Sequence, residues 1–558
     1  MIEYGTRRDS QRQYSGWLNT LGPVLLLLAL TSIMSGCVSN RMYRPDNIQQ
    51  ESDYTLAFVE FDDQGELWSP SQLFRTVDFI EKASQDDGSI VLVFIHGWNN
   101  NASPKHEQKE DYSLNGFKQF LAQVVDNIRI QYPEGSRPVI GVFVAWRGQS
   151  AYSPFRGFTF WNRRRAATRI ASGLAVQQAL LRIVDAANVN PDSRTMLIGH
   201  SFGGLLMEQA LLQTIATGTK RAKAGEIDLK QDLTLLLNPA APSLLAKQLT
   251  EVLELERAQF YRVDSQGNRY QRPILVSVTS VADRATRVLY PVGSSFGVMT
   301  SKFRKYGPEF CHPVSGQRSF YLYTAGHNTI LHSHDVTATP LPLEGQSDRK
   351  LQLQREYDPV SGQLAISFNG TEHRFTIARK PHALNDTPYW IMRVPKSLIP
   401  DHSDIFGLDT IRLIQALLVG TGALEPDSRT VLVQETGIRP LALGVGPSGR
   451  LVFAERSGRF YELPKGSSVP SFLACFPADI NPSQVIAVVG HRDSAWYVIN
   501  QAIDSGDKKE QQEYRTDLVR VSLHEGGFRP VERKRLTGSK RFVTASADLV
   551  QEKIYLAT

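Results

Sequence analysis

Thr195-Met196-Leu197-Ile198-Gly199-His200-Ser201-Phe202-Gly203-Gly204-Leu205-Leu206 is the stretch on which the reading of this chain turns. Thr195 to Ile198 form a short apolar run with the composition of a buried strand. Leu205, Leu206, Ala210 and Leu211 then recur at helical spacing. Between strand and helix stands a G-x-S-x-G sequence. A turn that sharp holds its serine in a strained conformation above the sheet, and flanking glycines relieve the crowding. Ser201 is therefore a candidate nucleophile.

Working outward, apolar runs alternate with helical patterns from about residue 54 to about 422, which implies βαβ units and a mostly parallel sheet. Ile90 to Ile95 is a continuous apolar run, as a strand buried on both faces requires. Leu114, Phe117, Phe120, Leu121, Val124, Val125 and Ile128 form the stripe of an amphipathic helix. Further strands are expected at Val139 to Trp146, Leu233 to Leu237, Ile274 to Val278 and Tyr389 to Val394. Helices are expected at about Arg165 to Ala187, Ser243 to Arg257 and Ile405 to Leu418. Residues 340–387 interrupt the rhythm. Leu364, Ile366 and Phe368 alternate up to Asn369-Gly370, the signal of a hairpin closed by a type I′ turn, and the region reads as a β insertion. Residues 430–558 change to short strands and Gly-rich turns. Gly444 to Ala454 resembles one β-propeller blade, with weaker copies at Val485 to Asn500 and Ala545 to Ala557. Three copies cannot close a ring that typically needs about four to eight blades, which leaves a sandwich, an open sheet or a remnant as alternatives.

The chain has 558 residues, 41% hydrophobic and 21% charged, with a net charge of +6. These are globular proportions for two or three domains. The densest basic run, Arg163-Arg164-Arg165, reads as a solvated helix face, so nucleic acid is not an expected partner. No clustered Cys and His residues have metal-ligand spacing, and no cofactor is expected. Cys311 and Cys475 lie far apart, and nothing in the sequence forces a bridge between them. Arg7, Arg8 and Arg12 precede an apolar stretch, Leu21 to Met34, of about 14 residues. A spanning helix needs about 20, so this is a signal-peptide core.

The signal core runs into Met34-Ser35-Gly36-Cys37, which resembles the lipobox of bacterial lipoproteins. By that resemblance residues 1–36 are removed and Cys37 carries the lipid. Val38 in place of an Asp after it implies the outer membrane of a bacterial envelope. A secretory signal or a short anchor with an incidental Cys is the alternative. Residues 37–53, polar in composition, read as a tether.

Gly199 to Gly204 closely resembles the nucleophile elbow of the α/β-hydrolases. His96-Gly97-Trp98, after a buried strand, stands where that family builds the outer wall of its oxyanion hole. The resemblance implies that the backbone N–H groups of Trp98 and Phe202 would bind an oxyanion. Asn99 to Asn101 continue the loop as substrate-orienting groups or simply as turn-formers. The acid of a triad is expected after a later strand, and Asp283 in Thr279-Ser280-Val281-Ala282-Asp283-Arg284-Ala285-Thr286 fits; a helix-capping or Arg287-paired Asp is the alternative. Two residues compete for the histidine. His327 follows the apolar run Phe320 to Tyr323. His402 lies between the strand Tyr389 to Val394 and the closing helix, the topological position the family uses, provided that residues 340–387 are an insertion. The combination resembles a bacterial α/β-hydrolase lipoprotein, esterase- or lipase-like, over residues 54–422.

The resemblance implies hydrolysis of a carboxylic ester, with a lipid or acyl ester as substrate and the membrane as partner through Cys37. Amidase, thioesterase or acyltransferase chemistry would use the same groups. A different class is an envelope binding lipoprotein with a scaffold hydrolase domain, in which residues 430–558 bind a protein partner. Phe155 to Trp161 reads either as an aromatic lid or as the start of a buried helix.

Overall fold

The computed structural model describes residues 38, 40–108, 112–131, 137–152, 157, 159–218, 229–255, 258–263, 269–271, 273–303, 317–342, 352–358, 363–380 and 387–420, and beyond these the backbone of the later strands. The signal segment and Cys37 lie outside the described residues, as do the side chains of Cys311 and Cys475.

The first half of the chain supplies β1 (Ile48–Gln50), β2 (Thr55–Glu60), α1 (Pro70–Ser84), β3 (Ile90–Ile95), α2 (Ser113–Gln131) and β4 (Val139–Ala145). Then come α3 (Phe160–Ser172), α4 (Leu174–Ala187), β5 (Arg194–His200), α5 (Phe202–Gly218), β6 (Leu233–Leu237) and α6 (Ser243–Leu255). A small pair, β7 (Ala258–Val263) and β8 (Arg269–Gln271), precedes β9 (Leu275–Ser280), a π-helical turn (Ala285–Leu289) and α7 (Tyr290–Val298). The domain continues with α8 (Gln317–Leu322), β10 (His334–Pro340), β11 (Leu353–Asp358), β12 (Gln363–Asn369), β13 (His373–Arg379), β14 (Tyr389–Val394) and α9 (Leu408–Gly420).

Twelve strands form one sheet in the order β1-β2-β4-β3-β5-β6-β9-β14-β10-β13-β12-β11. The run from β2 to β10 is parallel, and both margins are antiparallel. The fold is α/β. Alternation along β3 shows how the sequence builds two layers: Val91, Val93 and Ile95 pack in one core with Ile80, Ile170, Leu206 and Leu249, whereas Leu92 and Phe94 pack in the other with Phe117, Phe120, Ile411 and Ile414. Helices α1 and α3 to α6 thus cover one face, and α2 and α9 the other. The chain adds β4 on one side of β3 and β5 on the other. The C-terminal ends of β3 and β5 therefore flank a crevice where the strand order reverses, the usual place for a ligand in an open α/β sheet.

Several expectations need correction. The polar segment read as a tether is packed against the domain: the Val38 N–H donates to Ser150 O at 3.0 Å, and β1 pairs with β2. Two of its polar side chains, Arg44 and Asn47, are buried and satisfied inside. Arg44 donates to Ala102 O and pairs with Glu107, and Asn47 Nδ2 reaches Phe58 O, Gln72 O and Thr76 Oγ1. The helix expected from Arg165 to Ala187 is two helices bent by 60° at Gly173, whose extended ψ of 155° ends α3 and begins α4. No single described helix is long and apolar enough to cross a membrane. The Arg163 to Arg165 run is only partly solvated, because Arg163 is buried on Asp63.

The hairpin in residues 340–387 exists, but β10 to β13 extend the main sheet beyond β14. Its turn is not type I′, since neither Asn369 nor Gly370 has a positive φ. Instead Asp409 of α9 accepts from Thr371 N and Oγ1 at 2.6 and 2.7 Å and fixes a wider loop. The run at Phe320 to Tyr323 is helical over Phe320 to Leu322 and contributes no strand. Beyond residue 420, β15 (Val431–Gln434) pairs with β7. Two four-stranded antiparallel sheets and a hairpin follow, spanning Ala442–Cys475, Val485–Gly538 and Thr544–Ala557.

Candidate active site

Among the described residues, the non-glycine residues with positive φ are Asn99 (66°), Ser201 (55°) and Asn238 (44°). Ser201 and Asn238 directly follow β5 and β6, and Asn99 lies in the loop after β3. Such conformations cost of order 1–3 kcal/mol each and persist only where the surroundings enforce them. At Ser201 the enforcement is steric. A Cβ on Gly203 would fall 2.0 Å from Ile95 O, and one on Gly97 would fall 2.6 Å from Ser201 Cβ. Only glycine lets α5 and the loop after β3 approach the serine this closely.

Ser201 meets a histidine there. His402 Nε2 is 2.8 Å from Ser201 Oγ, and His402 Nδ1 is 2.8 Å from Asp283 Oδ2. The structure brings His402, not His327, to the serine. Asp283 has no exposed surface. Burial by itself would raise its pKa, but the neighbouring His402 ring, the hydrogen bond to it and two from Thr286 more than offset this and hold it below the ordinary carboxylate value. Those two bonds come from Thr286 N at 3.0 Å and Thr286 Oγ1 at 2.5 Å. His327 Nε2 lies 3.2 Å from the same hydroxyl. Because that hydroxyl spends its proton on Asp283, His327 Nε2–H must be the donor. Burial pushes the His327 pKa down to about 4, so the ring is neutral. The second histidine is thus linked to the triad through Thr286.

The loop carrying His402 is held by groups that sequence reading missed. Asn238 Nδ2 donates to the carbonyls of Asp401 and His402 at 3.2 and 3.1 Å, while its Oδ1 accepts from Ser280 N at 2.9 Å. His200 Nε2 donates to His402 O at 2.9 Å. Burial holds the His200 pKa at about 3, so it is a neutral donor. Ser280 Oγ donates to Ile399 O at 2.6 Å.

His96 has a comparable structural role under the opposite wall. Its Nε2 accepts from Trp146 N at 3.2 Å, which leaves the proton on Nδ1 to donate to Gly97 O at 2.9 Å. Asn99 N donates to Gly148 O at 3.1 Å. Among the described residues the Trp98 and Phe202 amides meet no acceptor, and Phe202 N–H opens α5, where helix geometry leaves it unpaired. Phe160 packs on Trp98 and Phe202 at ring distances of 5.3 and 5.4 Å, and Trp161 lies against Gly293. Phe155 and Phe158 lie outside the described residues.

These groups open on a cavity of about 1060 Å³. Trp98, Phe160, Leu289 and Phe406 give it apolar wall; Asn99, Asn100, Gln119, Asp401 and Asp404 give it polar wall. The π turn brings Thr286 and Leu289 to the same lining. Chemically the arrangement offers an oxygen nucleophile, a base already hydrogen-bonded to it, an anion orienting that base and two amides beside it. No group of metal-ligating side chains occurs among the described residues. Comparison with family models, with curated proteins and with solved structures finds no match.

Proposed function

We propose that this protein is a serine hydrolase of the α/β-hydrolase type that cleaves carboxylic esters through an acyl-enzyme. The single observation that carries the reading is the unbroken hydrogen-bonded line Ser201–His402–Asp283, with 2.8 Å at both steps. In this reading Ser201 Oγ attacks the ester carbonyl as its proton passes to His402 Nε2. Asp283 keeps the His402 proton on Nδ1 and stabilises the imidazolium that forms. The Trp98 and Phe202 amides receive the oxyanion, each contributing about 3 kcal/mol at the tetrahedral stage. His402 returns the proton to the leaving alcohol, and water then resolves the acyl-enzyme by the same path in reverse.

Acyl or lipid esters are the proposed substrates, with Trp98, Phe160 and Leu289 as the apolar contacts. A lipid on Cys37 would hold the enzyme at an envelope membrane. Its neighbour Val38 is docked on Ser150, and Gln149 N next to Ser150 donates to Asn100 O at 3.0 Å, so the anchor would sit close to the cavity wall. The antiparallel four-stranded sheets after residue 440 are the kind from which propeller blades are made, and a protein partner is proposed for them. The test is labelling of the full chain by a fluorophosphonate. A stable adduct that disappears in Ser201→Ala supports the reading; an unlabelled wild-type protein overturns it.

A further inference from the structure

A second cavity, of about 850 Å³, shares no lining residue with the first and opens beside the Asp283–Thr286 pair. Arg287, Arg393 and His327 line it together with Tyr323, Val281 and Ile330. Neither arginine has a carboxylate partner among the described residues. Arg393 Nε donates to Gly326 O at 2.6 Å and Arg287 to Val281 O at 3.3 Å, which leaves most of both guanidinium forks unused. The acids whose fields reach Arg393 and His327 are committed elsewhere. Asp335 is bridged to Lys380 at 3.1 Å and His332 at 3.0 Å, and the buried Asp283 carboxylate is filled by His402 and Thr286. Burial and the nearby Arg287 disfavour the charge of Arg393, and burial with both guanidinium groups disfavours that of His327.

Two like charges converge on one cavity, paired with no carboxylate among the described residues, and an anionic ligand would relieve that arrangement. Planar forks of this kind match carboxylate and phosphate oxygens. The remaining wall is apolar and open: Val281, Ile330 and Tyr323 are 44%, 57% and 39% exposed. We propose that this cavity is a binding site for an organic anion, a carboxylate or phosphate head carrying an apolar group, with the head on Arg287 and Arg393 and the body on Val281, Ile330 and Tyr323. The proposal does not depend on the hydrolase reading, because binding is measured without turnover.

The experiment is calorimetric titration of the full chain with octanoate and, separately, with inorganic phosphate. Saturable one-to-one binding of at least one anion is expected. Arg287→Gln should weaken it by about tenfold, the effect of one charge-assisted hydrogen bond lost. Ile330→Asp should weaken it at least as much by placing a like charge against the head. Both residues are exposed, so both variants should melt as the wild type does. Tighter binding of octanoate than of phosphate would support the apolar wall, and tighter binding of phosphate would overturn that part of the proposal. If neither anion saturates, or if binding survives unchanged in both variants, the proposal is wrong.

Discussion

Thr286 illustrates how much of this site depends on side chains that never touch the serine. Its hydroxyl and amide both donate to Asp283, and its oxygen in turn accepts from His327. These bonds help to hold Asp283 ionised against burial. Thr286→Val keeps the shape but removes one donor, so the Asp283 pKa should rise toward the ordinary carboxylate value. An ionised Asp283 is present above its pKa and lost below it. The acid limb of the pH–rate profile should therefore move to higher pH in the variant, with the loss confined to the acid side and little change near neutrality. An unshifted acid limb, measured by ester hydrolysis across pH 3 to 8, would contradict this. Ser201 was legible because its signal is local: strand, tight turn and helix stand consecutively in the chain. Thr286 lies in the quoted segment around Asp283, yet nothing in the sequence marked it as a hydrogen-bond donor to that acid. Its role depends on a π turn that the spacing does not announce.

At the scale of elements, the loop after β3 holds a residue in the left-handed region, β5 and β6 are each followed directly by one, and the loop after β14 is tied to them. Asn238 is the knot: it bonds two carbonyls of the His402 loop and the amide of Ser280. Asn238→Ala would strand buried groups and should destabilise the fold by about 2–3 kcal/mol in denaturant titration. It should also lower turnover, because the carbonyls of Asp401 and His402 lose the two hydrogen bonds that Asn238 donates. A variant of wild-type stability and rate would show the knot to be idle. Reading His402 from the sequence required a topological argument, that the strand Tyr389 to Val394 is a core strand. That strand pairs with β9 in register from Tyr389–Leu275 to Val394–Ser280. What the sequence hid were features with no periodic signal: the bend at Gly173, and the turn at Thr371 fixed by a carboxylate about forty residues away in sequence. Composition does not mark the segment before β1 as packed, because buried Arg44 and Asn47 look in sequence like the polar residues around them that face water.

For the whole molecule, two features carry consequences beyond the site. Glu208 of α5 is buried and held by Tyr389 OH of β14 at 2.8 Å, across the core between helix and sheet. Burial raises its pKa to about 8, only partly countered by that hydrogen bond. Between the ordinary value and about 8 the folded protein keeps a proton that the unfolded chain has released. Stability should therefore fall as pH rises through that window, by up to about 1.4 kcal/mol per pH unit for one proton. Glu208→Gln should flatten this part of the profile. An identical pH dependence of the denaturation midpoint in both proteins would count against a protonated Glu208. The second feature is the docking of Val38, the residue after Cys37, on Ser150 beside the cavity wall. If Cys37 is lipidated, Cys37→Ser should move the protein from the membrane pellet to the soluble fraction; unchanged sedimentation would rule that anchor out.

The central claim is that Ser201, His402 and Asp283 work as one unit, and it is tested most directly by the hydrolysis rates of Ser201→Ala, His402→Ala and the double variant on a chromogenic ester. Members of a unit are non-additive, so each single variant should lose roughly four orders of magnitude or more and the double variant little further. His327→Ala, which removes only a donor to Thr286, should lose far less. A His402→Ala enzyme that still turns over near the wild-type rate, or a His327→Ala enzyme that is silent, would contradict the account.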